Sequence, residues 1–285
     1  MADVVTGNTE LGATKQDLIA ALVQRELAFA AKLMPYVTDV STFAIPGSKS
    51  ISFPKLSSFT VVNRTEGSQG DASALTATVD TMNLNVNAYI AWIIDATTKL
   101  QSNIKAELEY AKRAALAHGR YVDSQILAAL LAGAHHFQNV GADVDVTYAN
   151  LLDMQSRYMS NQGLPEQALW CMSVGQNKAI LGLSQFQSAM NYGETIIRDG
   201  YVKQLLGMPV MIHSGLASKE LYLFGKDGIA VGFQKAPAMN EQPANEYGVG
   251  AVRAAMDQLF GVKVLESGVS PAAAGKSPLI LGLND

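Results

Sequence analysis

The chain has 285 residues, 48% of them hydrophobic and only 16% charged, with a formal net charge of -4. That length supports one large core or two small ones, and the weak acidic balance excludes a strong electrostatic grip on nucleic acid or on an anionic membrane. The single cysteine, Cys171, excludes an intramolecular disulfide. No stretch is apolar enough for a membrane span, and MADVVTGNTE at the start lacks the pattern of a secretory signal, so synthesis in a cytoplasm is expected.

Residues 1–14 are small and polar and read as an arm. Thr14 and Asp17 stand at the spacing of a helix-capping pair. The spacing then predicts a helix over Lys15–Met34, with Leu18, Leu22, Phe29 and Leu33 on one face and Pro35 ending it. Such a stripe is ordinarily the helix's own core contact. From Phe43 to Val62 apolar residues alternate with small ones, while Pro46 and Pro54 assign the segment to an edge or interrupted strand. A glycine-rich polar tip follows, Asn63–Ser73.

The chain returns through the cleanest alternation in the sequence. Met82, Leu84, Val86, Ala88, Ile90, Trp92 and Ile94 are apolar, and Asn83, Asn85 and Asn87 between them are polar. Read as one strand, this run spans about 43 Å at roughly 3.3 Å per residue. A domain of this length has a radius of gyration of only about 19 Å. Strand, tip and strand make a long hairpin, and a two-stranded hairpin alone in water is marginal. Its missing cover must lie elsewhere.

Ser102–Ala132 carries Ile104, Leu108, Ala111, Ala115, Gly119, Val122, Ile126 and Leu130 at helical spacing, with Asp123 among the charged residues off that stripe. Gly133 is the expected stop. A second helix is expected from Thr147 to just before Gly163, Leu164 and Pro165. Short elements follow: a buried strand in ALWCMSV, a helix in GQNKAILGLSQFQSA, and strands around Gly207 and around the turn Lys226, Asp227, Gly228. Tyr247–Leu265 reads as two strands meeting near Phe260 and Gly261, and 268–285 as a loose tail.

In this order the elements resemble a tailed-bacteriophage major capsid protein of the HK97-like fold. MSVGQNKAILGL, QLLGMPVMIHS and LYLFGKDGIAVGFQ are similar to stretches of that family's axial domain. The resemblance implies an α+β fold: an N-terminal arm and helix (1–40), an extended β-hairpin or E-loop (41–95), and a peripheral domain with a long spine helix (96–165). An axial domain (166–235), a return to the peripheral domain (236–267) and a C-terminal tail (268–285) complete it. It also implies that the E-loop lies across a neighbouring subunit, which answers where the hairpin finds cover.

On that reading the function is an icosahedral shell of hexamers and pentamers enclosing double-stranded phage DNA, held without strong specific binding and with no membrane. Only 1–40 precede the hairpin, so a separate scaffolding protein, and a portal, are the expected partners. The tip residues Arg64, Glu66, Gly67, Gly70 and Asp71 are then candidate inter-subunit contacts, against the ordinary reading of a solvated turn. No residue pattern supports covalent Lys–Asn cross-links. Two other readings stand beside it, an encapsulin-like compartment and a soluble α/β enzyme.

Signals for chemistry are weak. GVSPAAAGKS, 268–277, has Ser270 where a phosphate loop needs glycine. His135 and His136 have no companion cluster at metal-ligand spacing and read as a solvated turn. Cys171 in ALWCMSV reads as a buried, inert thiol, and Asn63–Arg64–Thr65 as a chance sequon. No catalytic, cofactor or metal residues are assigned, and the protein is expected to be structural rather than enzymatic.

Overall fold

The computed structural model describes residues 22, 25–26, 31–56, 77–95, 106–138, 145–161, 163–187, 202–247, 250–265 and 279–283. They fall into two compact units. The first comprises Met1–Gly47, Leu84–Ala128 and Val231–Val262, the second Ser48–Asn83, Ala129–Ala230 and Lys263–Asp285.

In the first unit a four-stranded sheet runs in the order β1 (Thr38–Asp39), β10 (Ile229–Pro243), β11 (Val252–Val264) and β4 (Val86–Ile94). Helix α1, Ala106–Gly133, has the expected stop, and its stripe is buried: Ala111, Ala115, Val122 and Ile126 are at most 1% exposed. Ala111, Ala114 and Ala115 pack against Met256, Ile90, Trp92 and Met239. Three alanines on the contact face bring the helix backbone close to the strands, so the larger Trp92 and Met256 side chains fill the layer between them.

Asp123 departs from expectation. It is 4% exposed, and its carboxylate accepts from the backbone N–H of Lys32 at 2.8 Å and of Leu33 at 3.0 Å. Those two amides are thereby taken from any helical ladder. Leu22, Arg25 and Glu26 are helical, but the helix has ended by Ala31, short of the expected Met34, and Pro35 instead opens the 3-10 turn Met34–Tyr36. The Thr14–Asp17 cap lies outside the described residues.

The long alternating run is not one strand. Leu84 and Asn85 interrupt it, and its two parts have different partners. β3 (Ala77–Asn83) pairs antiparallel with β2 (Ser50–Leu56), and β4 pairs antiparallel with β11, Ile90 opposite Met256 and Trp92 opposite Ala254. Alternation of burial nevertheless continues through the break: Met82 and Leu84 are buried, Asn83, Asn85 and Asn87 exposed. The period reports which face is covered, whatever covers it. The size problem dissolves because the run is two shorter strands, each paired within its own chain.

The second unit holds the β2–β3 pair and a six-stranded mixed sheet. Its order is β5 (His135–Gln138), β12 (Ile280–Leu283), β9 (Leu221–Gly225), β6 (Ala168–Met172), β8 (Met208–Ile212) and β7 (Gln204–Leu205). β6 and β9 are buried along their whole length, which explains their unbroken apolar runs. Helices α2 (Tyr148–Ser160), α3 (Val174–Leu181) and α4 (Ser184–Gln187) belong to the same unit, Thr147 and Ser173 capping the first two through their side-chain oxygens. Leu206 (φ 51°) and Gly207 (φ 82°) form the tight turn between β7 and β8.

Three expectations are corrected. Val252–Val264 is one continuous strand, not two meeting at Phe260 and Gly261, and its Val252–Phe260 part keeps an unbroken register with β4. His135 and His136 begin strand β5 rather than a solvated turn, paired in parallel with β12. The tail is not loose throughout, since Ile280, Leu281 and Leu283 are at most 2% exposed and β12 lies between β5 and β9.

Candidate assembly interface

The hairpin is covered on one face at its root. Ile51 and Met82 stand opposite each other, 5% and 0% exposed, and Lys263 ties Asp80 by an ion pair at 2.8 Å. Its other face is open: Val79 is 65% exposed and Pro54, across from it, is exposed as well. The tip residues Arg64, Glu66, Gly67, Gly70 and Asp71, the sequon at Asn63 and the 268–277 segment lie outside the described residues.

Other apolar side chains face outward. In the first unit these include Phe43, Ile45, Tyr89 and Ile93; in the second, Leu152, Met159, Leu164 and Val174. Leu152 and Met159 lie two turns apart on the same face of α2. Scattered singly, such residues need no explanation. Together with a charged content well below the usual quarter, they describe surfaces suited to contact with another protein.

Two buried side chains join separate segments of the second unit. Gln176, 0% exposed, accepts from the Val146 N–H at 3.2 Å and donates to the Lys219 carbonyl at 2.6 Å, joining three segments. Tyr158, 1% exposed, fits between two glycines: a Cβ at Gly163 or at Gly225 would overlap its ring or its hydroxyl. Burial pushes the Tyr158 phenol up to about 12, and the Asp227 charge acts in the same direction. Cys171, fully buried in β6, fits an inert thiol.

In the first unit His118 is 1% exposed on α1, with the Met256 backbone beside its ring. Gln258, 0% exposed on β11, has no hydrogen-bond partner for its side-chain amide. Both positions were legible only as members of the apolar face: His118 stands four residues after Ala114, and Gln258 alternates with Met256 and Phe260. Asp123 carried a similar signal, four residues after Gly119.

Burial lowers the His118 pKa from 6.5, opposed by the Met256 backbone and the Asp257 charge. The folded chain therefore takes up this proton less readily than the unfolded one. Stability from this group is intact above about pH 6.5 and falls below it by at most about 1.4 kcal/mol per pH unit, levelling once the folded imidazole protonates. Thermal melts of the free subunit from pH 7 to pH 5 should flatten in His118→Leu, and an unchanged slope would refute this assignment.

Among the described residues no three His, Cys, Asp or Glu side chains are grouped as a metal site. No described helix is long and apolar enough to cross a membrane.

The same fold occurs in solved structures of phages and of a virus-like particle. The chain superimposes on a structure from Mycobacterium phage Che8 with a TM-score of 0.69 at 15% identity, covering 89% of this chain and 91% of that one. The mature capsid of bacteriophage PhiM1 gives 0.64 at 12% identity, covering 87% and 85%. A virus-like particle from Pyrococcus furiosus gives 0.60 at 8% identity, covering 95% and 99%. A search of curated protein sequences finds no match. The fold is thus the HK97-like fold, that of subunits from which capsid shells are built. The sequence itself matches the family model for phage capsid protein over residues 19–258, and the chain belongs to that family. It is a shell-forming capsid protein, a structural component of a virion.

Proposed function

We propose that the shell encloses a double-stranded DNA phage genome and that the hairpin is the means by which each subunit grips the next. The observation that carries this is the β2–β3 pair itself, two strands wide with Val79 left open. Arg64, Glu66 and Asp71 at the tip meet the neighbour, and Gly67 and Gly70 let the tip adapt to rings of five and six subunits. The domain assignments follow the family: arm 1–40, E-loop 41–95, peripheral domain 96–165 and 236–267, axial domain 166–235, tail 268–285. A separate scaffolding protein and a portal take part in assembly in the host cytoplasm. Packaged DNA is held without strong specific contacts, in keeping with the acidic balance. No catalytic role is assigned.

A cellular compartment of the same fold is the weaker reading, because the virus-like particle likeness is one of fold alone while the family match is to phage capsids. Co-expression with the scaffolding protein tests the proposal. Wild-type chain yields closed particles by negative-stain microscopy, and the double variant Gly67→Pro/Gly70→Pro yields unassembled or misassembled subunits that still melt cooperatively. Normal shells from that variant would refute the role of the tip.

A further inference from the structure

The four-stranded sheet ends at β4, whose outer edge pairs with no strand among the described residues. Its sequence, VNAYIAWII, contains no charge and no proline. Its register with β11 runs from Val86 to Ile94 without a bulge. Edge strands are ordinarily guarded by charges, proline or bulges, since a bare row of N–H and C=O groups invites another strand. This edge has none of those guards.

Beside it lies a groove of about 370 Å³, lined by Asn87, Ala88 and Ile90 of β4 and by Ala117, His118 and Tyr121 of α1. We propose that an extended segment of a second copy of this protein adds to β4 as a fifth strand.

The proposal rests on the shell-forming reading, which supplies copies of the chain as neighbours. The groove favours that occupant over DNA: its lining holds no lysine or arginine, so nothing in it carries a permanent positive charge to neutralise phosphate. An uncharged strand suits it, and a chain with only 16% charged residues has such segments to offer.

The test is hydrogen–deuterium exchange by mass spectrometry on the full-length wild-type chain, free and assembled. Amides of 86–94 that face away from β11 should slow at least about tenfold in the shell. In parallel, Asn87→Lys/Ala91→Lys places two charges at exposed edge positions. It should leave the melting temperature of the free subunit within a few degrees and lower the shell yield about tenfold in gradient sedimentation. Shells in which 86–94 exchange as in the free subunit overturn strand addition and leave the shell reading intact. A wild-type chain that forms no shells with its scaffolding protein present overturns both. Protection that appears only on adding DNA assigns the edge to another occupant and overturns the second copy.

Discussion

A chain lacking residues 280–285 loses the cooperative thermal transition of the second unit and accumulates as insoluble protein. The removed strand is four residues long but central. β12 lies between β5 and β9, and Ile280, Leu281 and Leu283 are buried. Burying a side chain of that size contributes about 1.5–3 kcal/mol, so three of them approach the whole 5–15 kcal/mol by which a domain is stable. Deletion also exposes the facing edges of two strands, β5 and β9. Leu281→Ala is the milder probe, at about 2–5 kcal/mol by chemical denaturation. A truncated chain that still melts in one sharp step at the wild-type temperature would show the strand to be dispensable.

Gly225→Ala destabilises the free subunit by about 2–3 kcal/mol through overpacking. The backbone does not demand glycine: φ is -101° and ψ 158°, open to any residue. Space does, because the new Cβ would overlap the Tyr158 hydroxyl while the next ring atom, Cζ, stands 3.2 Å away. Tyr158→Phe removes the overlapping atom at the expense of a long hydrogen bond to the Leu164 carbonyl, 3.4 Å. The double variant should therefore be more stable than the sum of the singles by about 1 kcal/mol or more, as neighbouring residues in contact behave. Additive effects in urea denaturation of the four proteins would refute the overlap.

Local periodicity was legible in this chain wherever one face of an element is covered. The α1 stripe, the Thr147 cap, the turn at Gly207 and the alternation of 82–94 all follow from side-chain spacing and turn chemistry, which depend on neighbours within a few residues. The partner that covers a face has no local signature. Nothing near Leu84 and Asn85 announces that β3 and β4 belong to different sheets, since both sheets need the same alternation. The continuity of β11 past Gly261 was likewise invisible, because a glycine in a strand looks the same whether it bends the chain or is held straight by a partner.

The candidate contacts divide in the same way. The charged, glycine-rich composition of Arg64–Asp71 is read as a tip from sequence alone and lies outside the described residues, while the groove at His118 needs α1 and β4 brought side by side. Asp123 shows the cost of reading charge as exposure: its carboxylate is buried because two backbone amides almost a hundred positions earlier require an acceptor.

By itself the sequence determined the elements, their order and the family-like succession of arm, hairpin, long helix and mixed strands, because these follow from short-range spacing and turn residues. Only the tertiary structure decided that the last four-residue strand completes the core of the second unit, that the two parts of the long ribbon pair with different strands of their own chain, and that β4 ends its sheet unguarded. Those outcomes are set by pairings between residues far apart in the chain, where hydrogen bonds and burial select a partner that no local pattern names.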